Sequence, residues 1–405
     1  MKKEIPLEKS YGDDHVDDHV DKEIEDCFST KNPKCFFVFA GAGSGKTRSL
    51  INTLNFLDRE QGENLLMNGK QVAVITYTNA ACDEISRRLQ YKTIFSVSTI
   101  HSFLWDLIKY YQADIKSWLV ESVQKEIEEL QRKKTKKTGS KAGEKREEKI
   151  KKKMDRLAKI RTVQKFSYNP NGDNVGYDSL SHSEVIKMST EFIATEPTMQ
   201  DILTSKYPIL LIDESQDTKK ELIDALLIVC EKYSGKFIVG MFGDTMQKIY
   251  MDGKEDLAKC IPDNWIKPVK IMNHRSAKRI VTLANSIRST VDALYVSDNT
   301  RFATHQGVKG LEFPRVMVIL DDAQAKGFLF SYEKLFGVKA QSDTDIKNER
   351  DGKDTGITRT ARLFYVACTR AENSLAVVAY TENEELVKAT ALSNGWFLEN
   401  EIYII

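Results

Sequence analysis

The residues best suited to chemistry are the eight from Ala40 to Thr47, Ala-Gly-Ala-Gly-Ser-Gly-Lys-Thr. They follow the apolar run Cys35–Phe39 and lead into Arg48-Ser49-Leu50, an order of buried strand, glycine loop and helix. Successive backbone N–H groups of such a loop, together with the helix N-terminus, wrap a polyphosphate. Ala42, Gly43, Ser44, Gly45, Lys46, Thr47 and Arg48 are therefore expected to hold a nucleotide. Lys46 would reach the β- and γ-phosphates, and the Thr47 hydroxyl would ligate Mg²⁺. The general pattern has Gly where this chain has Ala40. A second constellation is Asp213-Glu214, at the end of the apolar run Tyr207–Ile212. Asp213 is expected to hold Mg²⁺, directly or through water, and Glu214 to orient and deprotonate an attacking water. Gln247, just past the apolar run 236–244, is placed to sense the γ-phosphate.

These groups need a scaffold that brings distant stretches to one place. Gln71–Tyr77 reads as a compact buried strand, with Thr78-Asn79 capping a helix from Ala80 to Leu89. A short strand near Ile94–Val97 leads into Ser98-Thr99-Ile100-His101-Ser102-Phe103 and another helix. A helix is expected from about Ser183 to Ala194, then strands at 207–212 and 236–244. Strands alternating with helices predict a parallel sheet, so the fold class is α/β. Further along, a helix is expected over Lys278–Ile287 and strands at Pro314–Leu320 and Leu375–Tyr380. The polar stretch Asp321–Ile357 reads as a long loop with some helix.

Net charge is +1, hydrophobic content 41% and charged content 29%, so any nucleic-acid footprint must be local. The local exception is Ser117–Lys165, with seventeen Lys and Arg against eight Asp and Glu. Turn residues at Thr138–Gly143 divide it. Ile127 and Leu130 give one half an apolar seam, and Ile150, Met154, Leu157 and Ile160 give the other. This predicts an antiparallel helical hairpin with a solvated basic surface, free or meeting nucleic acid or a protein partner. The six cysteines form no C-x-x-C pair and read as reduced thiols, and no apolar run approaches a membrane span. A cytoplasmic protein without a membrane partner is expected. Asp13-Asp14-His15-Val16, repeated as Asp17-Asp18-His19-Val20, puts two histidines on one helical face. The plainer reading, an acidic leader entering a helix that runs to about Cys27, is preferred to a metal site.

Taken in order, AGAGSGKTRSL (40–50), ITYTNAACDEI (75–85), STIHSF (98–103), LLIDESQDT (210–218) and GDTMQKIY (243–250) resemble the motifs of the UvrD/PcrA/Rep helicases of superfamily 1. Asn273-His274-Arg275-Ser276, Thr304–Phe313 and Arg362–Ala371 are similar to that family's later motifs. The resemblance implies two RecA-like parallel-sheet domains with ATP and Mg²⁺ in the cleft between them. It implies that Arg275 and Arg370 face the γ-phosphate, that Gln247 couples it to movement, and that Gly310 and Glu312 contact the nucleotide. Tyr77, Thr78, Asn79, His101, Tyr250, Thr304 and His305 sit on positions that face single-stranded DNA in the family. The implied organisation is a first RecA-like domain over 1–112 and 166–266, a charged hairpin over 113–165, and a second RecA-like domain over 267–405. The implied activity is ATP-driven translocation on single-stranded DNA or at a single-strand/duplex junction, 3′ to 5′. Compact proteins of this kind also occur beside nucleases in bacterial antiphage systems such as those of the Gabija type, which makes a nuclease subunit a further expected partner.

The chain departs from the family at three places. The adenine-reading Gln expected some fifteen residues before the glycine loop is replaced, with Glu25 near that position. Tyr250 is followed by Met251-Asp252-Gly253 where the family has a base-stacking Trp. Barely thirty residues separate Arg275 from Thr304, where the full-length enzymes insert a large accessory domain.

Overall fold

Short runs of β-branched and aromatic residues become the strands of one central sheet, and amphipathic stretches between them become helices on its two faces. The computed structural model describes residues 17–41, 43–132, 141–244, 257–273, 283, 295–296, 313–322, 330–351 and 353–404. In chain order the first elements are α1 (Asp18–Asp26), β1 (Phe36–Ala40), α2 (Lys46–Met67), β2 (Val72–Thr76), α3 (Asn79–Arg88), β3 (Phe95–Thr99) and α4 (Ile100–Ile108). Then come α5 (Gln112–Arg132), α6 (Lys141–Thr162), α7 (His182–Thr195), α8 (Pro197–Lys206), β4 (Ile209–Ile212), α9 (Lys220–Lys232), β5 (Ile238–Gly243), α10 (Leu257–Cys260) and β6 (Val269–Lys270). The six strands pair in the order β3-β2-β4-β5-β1-β6, each neighbouring pair parallel.

Alternate side chains along each strand enter opposite cores, as the two-residue period of a strand requires. Phe37, Ile75, Leu210, Ile212 and Met241 meet α4, α5, α7 and α9 on one face. Phe36, Val38, Val74, Leu211 and Phe242 meet α1, α2 and α3 on the other. Gly240 is needed at the centre. A Cβ there would stand 2.7 Å from Leu211 Cδ2 and closer still to the Phe36 ring.

Helices α5 and α6 pair antiparallel. Lys116 Nζ donates to the Val163 carbonyl at 3.0 Å, and farther out Lys153 bridges to Glu126. Ile115, Leu119, Val123 and Ile127 supply a buried stripe at four-residue spacing. The seam of α6 differs from the sequence reading, because Met154 is 55% exposed while Ile160 is buried. Met154 lies about 120° around the helix from Ile160, and the seam position between Leu157 and Ile160 falls to Lys153. The helix also starts at Lys141, so Ala142 and Gly143 belong to it and not to the turn. At the root, Arg156 bridges to Glu184 of α7 at 2.7 Å. Burial pushes the Glu184 carboxyl up, but Arg156 and the Ser181 backbone and hydroxyl outweigh it and hold the group below its ordinary value.

Past the sheet come β7 (Met272–Asn273) and β8 (Tyr295–Val296), which pair with each other. After them are β9 (Phe313–Leu320), α11 (Tyr332–Leu335), α12 (Asp343–Arg350), α13 (Gly356–Cys368), β10 (Ala371–Ala379) and α14 (Glu384–Ser393). Strands β9 and β10 are parallel neighbours over a core of Val316, Val318, Leu320, Phe336, Phe364 and Trp396. The polar stretch read as a long loop is organised by Asp345, whose carboxylate accepts from Lys334 Nζ, Ser342 Oγ and the Gly356 amide. Three further differences from the sequence reading stand out. Helix α8 was not foreseen, β3 runs two residues beyond its expected end, and the first sheet extends through β6, past the boundary expected at 266. Of the helix expected at 278–287 only Leu283 is described, helical and buried, and His15 lies outside the described residues. Among the described residues no helix is long and apolar enough to cross a membrane.

Replacing Gly240 with Ala is expected to destabilise the protein by about 1–3 kcal/mol through overpacking. Urea unfolding followed by circular dichroism measures this; an unchanged midpoint would contradict the close approach of β4, β5 and β1.

Candidate active site

Because all six strands run the same way, their carboxyl ends line one edge, where open parallel sheets bind ligands. The glycine loop leaves β1 there. Gly43 and Gly45 have φ of 71° and 79°, in the left-handed region that favours glycine, and Gly45 is the N-cap of α2. Ser44 closes the loop by donating its hydroxyl to the Gly41 carbonyl at 2.8 Å. Lys46 is buried, and its ammonium donates to the carbonyls of Ala40 at 3.2 Å and Gly41 at 3.3 Å. Thr47 is half-buried in the first helical turn and Arg48 is exposed. The 22-residue helix α2 has no acid in its first turn, so its positive end faces the loop undiluted.

The acidic pair leaves β4, separated from β1 by β5 alone. Asp213 is buried; its amide donates to the Ile75 carbonyl at 2.8 Å, and its Oδ1 accepts the Glu214 amide at 3.0 Å. Glu214 adopts φ of 49°, which a non-glycine residue holds only at a cost of about 1–3 kcal/mol. Neighbouring bonds enforce it. Gln216 Nε2 donates to Glu214 Oε2 at 2.6 Å, Ser215 Oγ donates to the Phe242 carbonyl at 3.0 Å, and the Asp244 amide donates to Gln216 Oε1 at 3.0 Å. Gly243 permits this, since a Cβ there would stand 2.6 Å from Ser215 Oγ. Asp244 in turn accepts a hydrogen bond from the buried hydroxyl of Tyr365 on α13, at 3.4 Å. Arg370 is also buried, one turn beyond Tyr365, with Nε donating to the Val366 carbonyl at 3.0 Å.

Of the expected DNA-facing residues, Tyr77, Thr78, Asn79 and His101 fall after β2 and β3, whose ends are in register at Thr76 and Thr99. Tyr77 is exposed. The Thr78 hydroxyl caps α3 by accepting the Ala81 amide at 3.2 Å, and Asn79 Nδ2 donates to Asn171 Oδ1 at 2.9 Å. His101 stands edge-on to His182 at 4.9 Å, and Tyr168 OH bonds His182 Nδ1. Burial, the His182 ring and Lys219 together lower the His101 pKa, while burial pushes the Tyr168 hydroxyl up to about 12.

The structure thus gathers Gly43–Arg48, Asp213, Glu214, Tyr77–Asn79 and His101 along one edge of one sheet. Ala42, Gln247, Tyr250, Arg275, Thr304, His305, Gly310 and Glu312 lie outside the described residues. Gln216, Asp244 and Tyr365, which hold the acidic turn, were not singled out from sequence. Each sits inside a motif already quoted, but residue type alone does not separate a positioning side chain from its neighbours. Asn171, Tyr168 and His182 carried no sequence signal, since their partners lie 14 to 92 residues away.

Because the His101 pKa is lowered from the ordinary 6.5, the unfolded chain binds a proton there more readily than the folded one. Its contribution to stability is therefore present above the unfolded value and lost as pH falls below it. Unfolding midpoints compared between pH 7.5 and 5.5 are expected to fall less for His101→Gln than for the unmutated chain; an equal fall would refute the assignment.

Over 358 aligned residues the chain is 26% identical to Gabija protein GajB of Bacillus cereus (strain HuB5-5), covering 71% of this chain and 52% of the relative. The chain therefore spans about half the length of that curated relative. Two solved structures of Arterivirus nonstructural protein 10, a helicase, align at 12% identity over 91% of this chain. The crystal structure of the helicase has a TM-score of 0.35 over 62% of its own chain, and its complex with DNA 0.31 over 64%. Likeness of that strength bears on neither fold nor function. The family model described as an AAA domain matches residues 25–252, from the end of α1 to beyond β5. That match takes in the glycine loop, the acidic pair and more than half of the sequence, and by it the chain belongs to the AAA-domain family.

Proposed function

We propose that the chain is an ATP-driven motor of the UvrD type, moving 3′ to 5′ on single-stranded DNA or at a single-strand/duplex junction. The observation that carries this reading is the convergence of the glycine loop, the acidic pair and the segments after β2 and β3 on one edge of a parallel sheet. A nucleotide and a strand laid along that edge would touch neighbouring loops. The proposed units are 1–112 with 166–266, the hairpin 113–165, and 267–405, with β6 of the first sheet just inside the last of these.

In this reading the loop amides and Lys46 hold the β- and γ-phosphates of ATP, displacing the ammonium from the carbonyls of Ala40 and Gly41. Thr47 and Asp213 offer the hard oxygen ligands that Mg²⁺ takes, and the ion supplies charge neutralisation at the phosphates. Glu214, aimed by Gln216, takes a proton from water as its oxygen attacks the γ-phosphorus. The bond from that phosphorus to the bridging oxygen breaks and ADP leaves. Arg275 and Arg370 would neutralise charge on the transferred group when the units close, with Gln247, Gly310 and Glu312 lining the pocket. Tyr77, Thr78, Asn79, His101, Tyr250, Thr304 and His305 form the proposed strand track, where an aromatic such as Tyr77 offers a sequence-blind stacking face. Cytoplasmic location belongs to the same reading.

Glu214→Gln is expected to lower DNA-stimulated ATP turnover by at least about 100-fold while nucleotide binding persists. Failure of single-stranded DNA to raise turnover by the unmutated protein would sink the translocase reading.

The likeness to Gabija protein GajB is compatible with a second reading, in which the chain is an ATPase subunit that senses DNA and regulates a partner nuclease in an antiphage complex. Helix α6 presents exposed Lys145, Lys149 and Lys152 as a docking face. Replacing the three with Glu is expected, on this reading, to abolish binding of a purified nuclease encoded beside the gene. DNA-stimulated turnover would stay within about twofold, as for rim charges that steer association. Retained nuclease binding would count against the docking face.

A further inference from the structure

The segment Lys270–Met272, where the chain leaves the first sheet, is fastened by acidic side chains of α1 that the catalytic reading does not use. Asp17 is the N-cap residue of α1, a position where Asp ordinarily accepts an amide of its own helix. Here it makes no such bond. Its buried carboxylate instead accepts two consecutive amides of the departing chain, Ile271 N to Oδ1 at 3.2 Å and Met272 N to Oδ2 at 3.0 Å. One turn on, Asp21 accepts from Ser49 Oγ at 2.5 Å and from Asn52 Nδ2 at 2.7 Å, both on α2. Lys270 completes the arrangement. It is buried, donates to the same Ser49 hydroxyl at 2.7 Å, and lies 3.8 Å from Asp21 Oδ1. In the sheet Lys270 is the register partner of Ala40, the residue that opens the glycine loop.

Three parts of the chain therefore meet in one polar network, buried at Asp17, Ser49 and Lys270: α1 with its N-cap, the helix that starts at Lys46, and the connection to the second group of strands. Charge-assisted bonds of this kind are directional and costly to leave unmade. We propose that Asp17 and Asp21 are positioning residues that clamp the connection at 270–272 to the nucleotide-loop helix, so that α1 transmits displacement of that helix to the second unit. The coupling half of this proposal rests on the motor reading above. The clamp itself rests on the contacts alone.

The test uses the full chain and two readouts. Asp17→Ala is expected to raise amide hydrogen exchange at Ile271 and Met272 about tenfold over the unmutated chain, with β2 unaffected, because those amides lose their acceptor. It is also expected to lower the DNA-stimulated kcat about tenfold while the KM for ATP stays within about twofold. Asp17→Asn keeps one oxygen for one of the two amides and is expected to recover part of both effects. Unchanged exchange at 271–272 would overturn the clamp whatever the activity. Raised exchange with an unchanged DNA-stimulated kcat would overturn the coupling. Equal losses in both variants with a lowered melting temperature would show a merely structural role and overturn it as well. If single-stranded DNA fails to stimulate the unmutated chain, the motor reading and the coupling fall together, and exchange alone then decides the clamp.

Discussion

The constraint on which the rest of the structure depends is the parallel register of the central sheet. Parallel neighbours cannot be joined by tight turns, so each connection crosses over a face through helix or loop and returns to the same starting edge. Every strand then delivers its carboxyl end to the opposite edge. The glycine loop after β1, the acidic pair after β4 and Asp244 after β5 share that edge for this reason alone. The order β4-β5-β1 puts two strand spacings, about 10 Å, between the acidic pair and the glycine loop. That gap suits a group of phosphate size with a cation beside it.

Holding chemistry in such a gap requires backbone conformations that the chain would otherwise avoid. Gly43 and Gly45 take left-handed φ without a Cβ to object, but Glu214 must be forced. Ser215, Gln216 and the Asp244 amide supply the force, and Gly243 leaves room for them. The same Asp244 receives Tyr365 from a helix more than a hundred residues later. The turn that aims Glu214 is therefore in bonded contact with α13, the helix that ends next to Arg370.

A net charge of +1 conceals a strong internal division. Lys153 and Arg156 of α6 bridge to acids on α5 and α7, while Lys145, Lys149, Lys151, Lys152 and Lys159 of the same helix are exposed. Asp17 and Asp21 at the start of α1, by contrast, are drawn to backbone amides and to a buried lysine. The two regions carry opposite charge for opposite purposes. Solvated lysines keep an extended hairpin soluble, whereas buried carboxylates fasten elements together because their bonds are made in a water-poor setting.

By itself the sequence determined the local chemistry. The glycine loop, the acidic pair, the apolar strands and the basic hairpin are contiguous patterns whose spacing reflects one strand, one helix or one loop. The α/β alternation was legible for the same reason. Only the tertiary structure decided strand order, which places β5 between β4 and β1, extends the sheet through β6 beyond the expected boundary, and aligns the ends of β2 and β3. It also decided that Met154 faces solvent, that Asp17 serves the chain at 271–272 and not its own helix, and that Gln216, Asp244 and Tyr365 hold Glu214. These facts depend on contacts between residues far apart in sequence, and side-chain type at one position carries no record of the partner that folding brings to it.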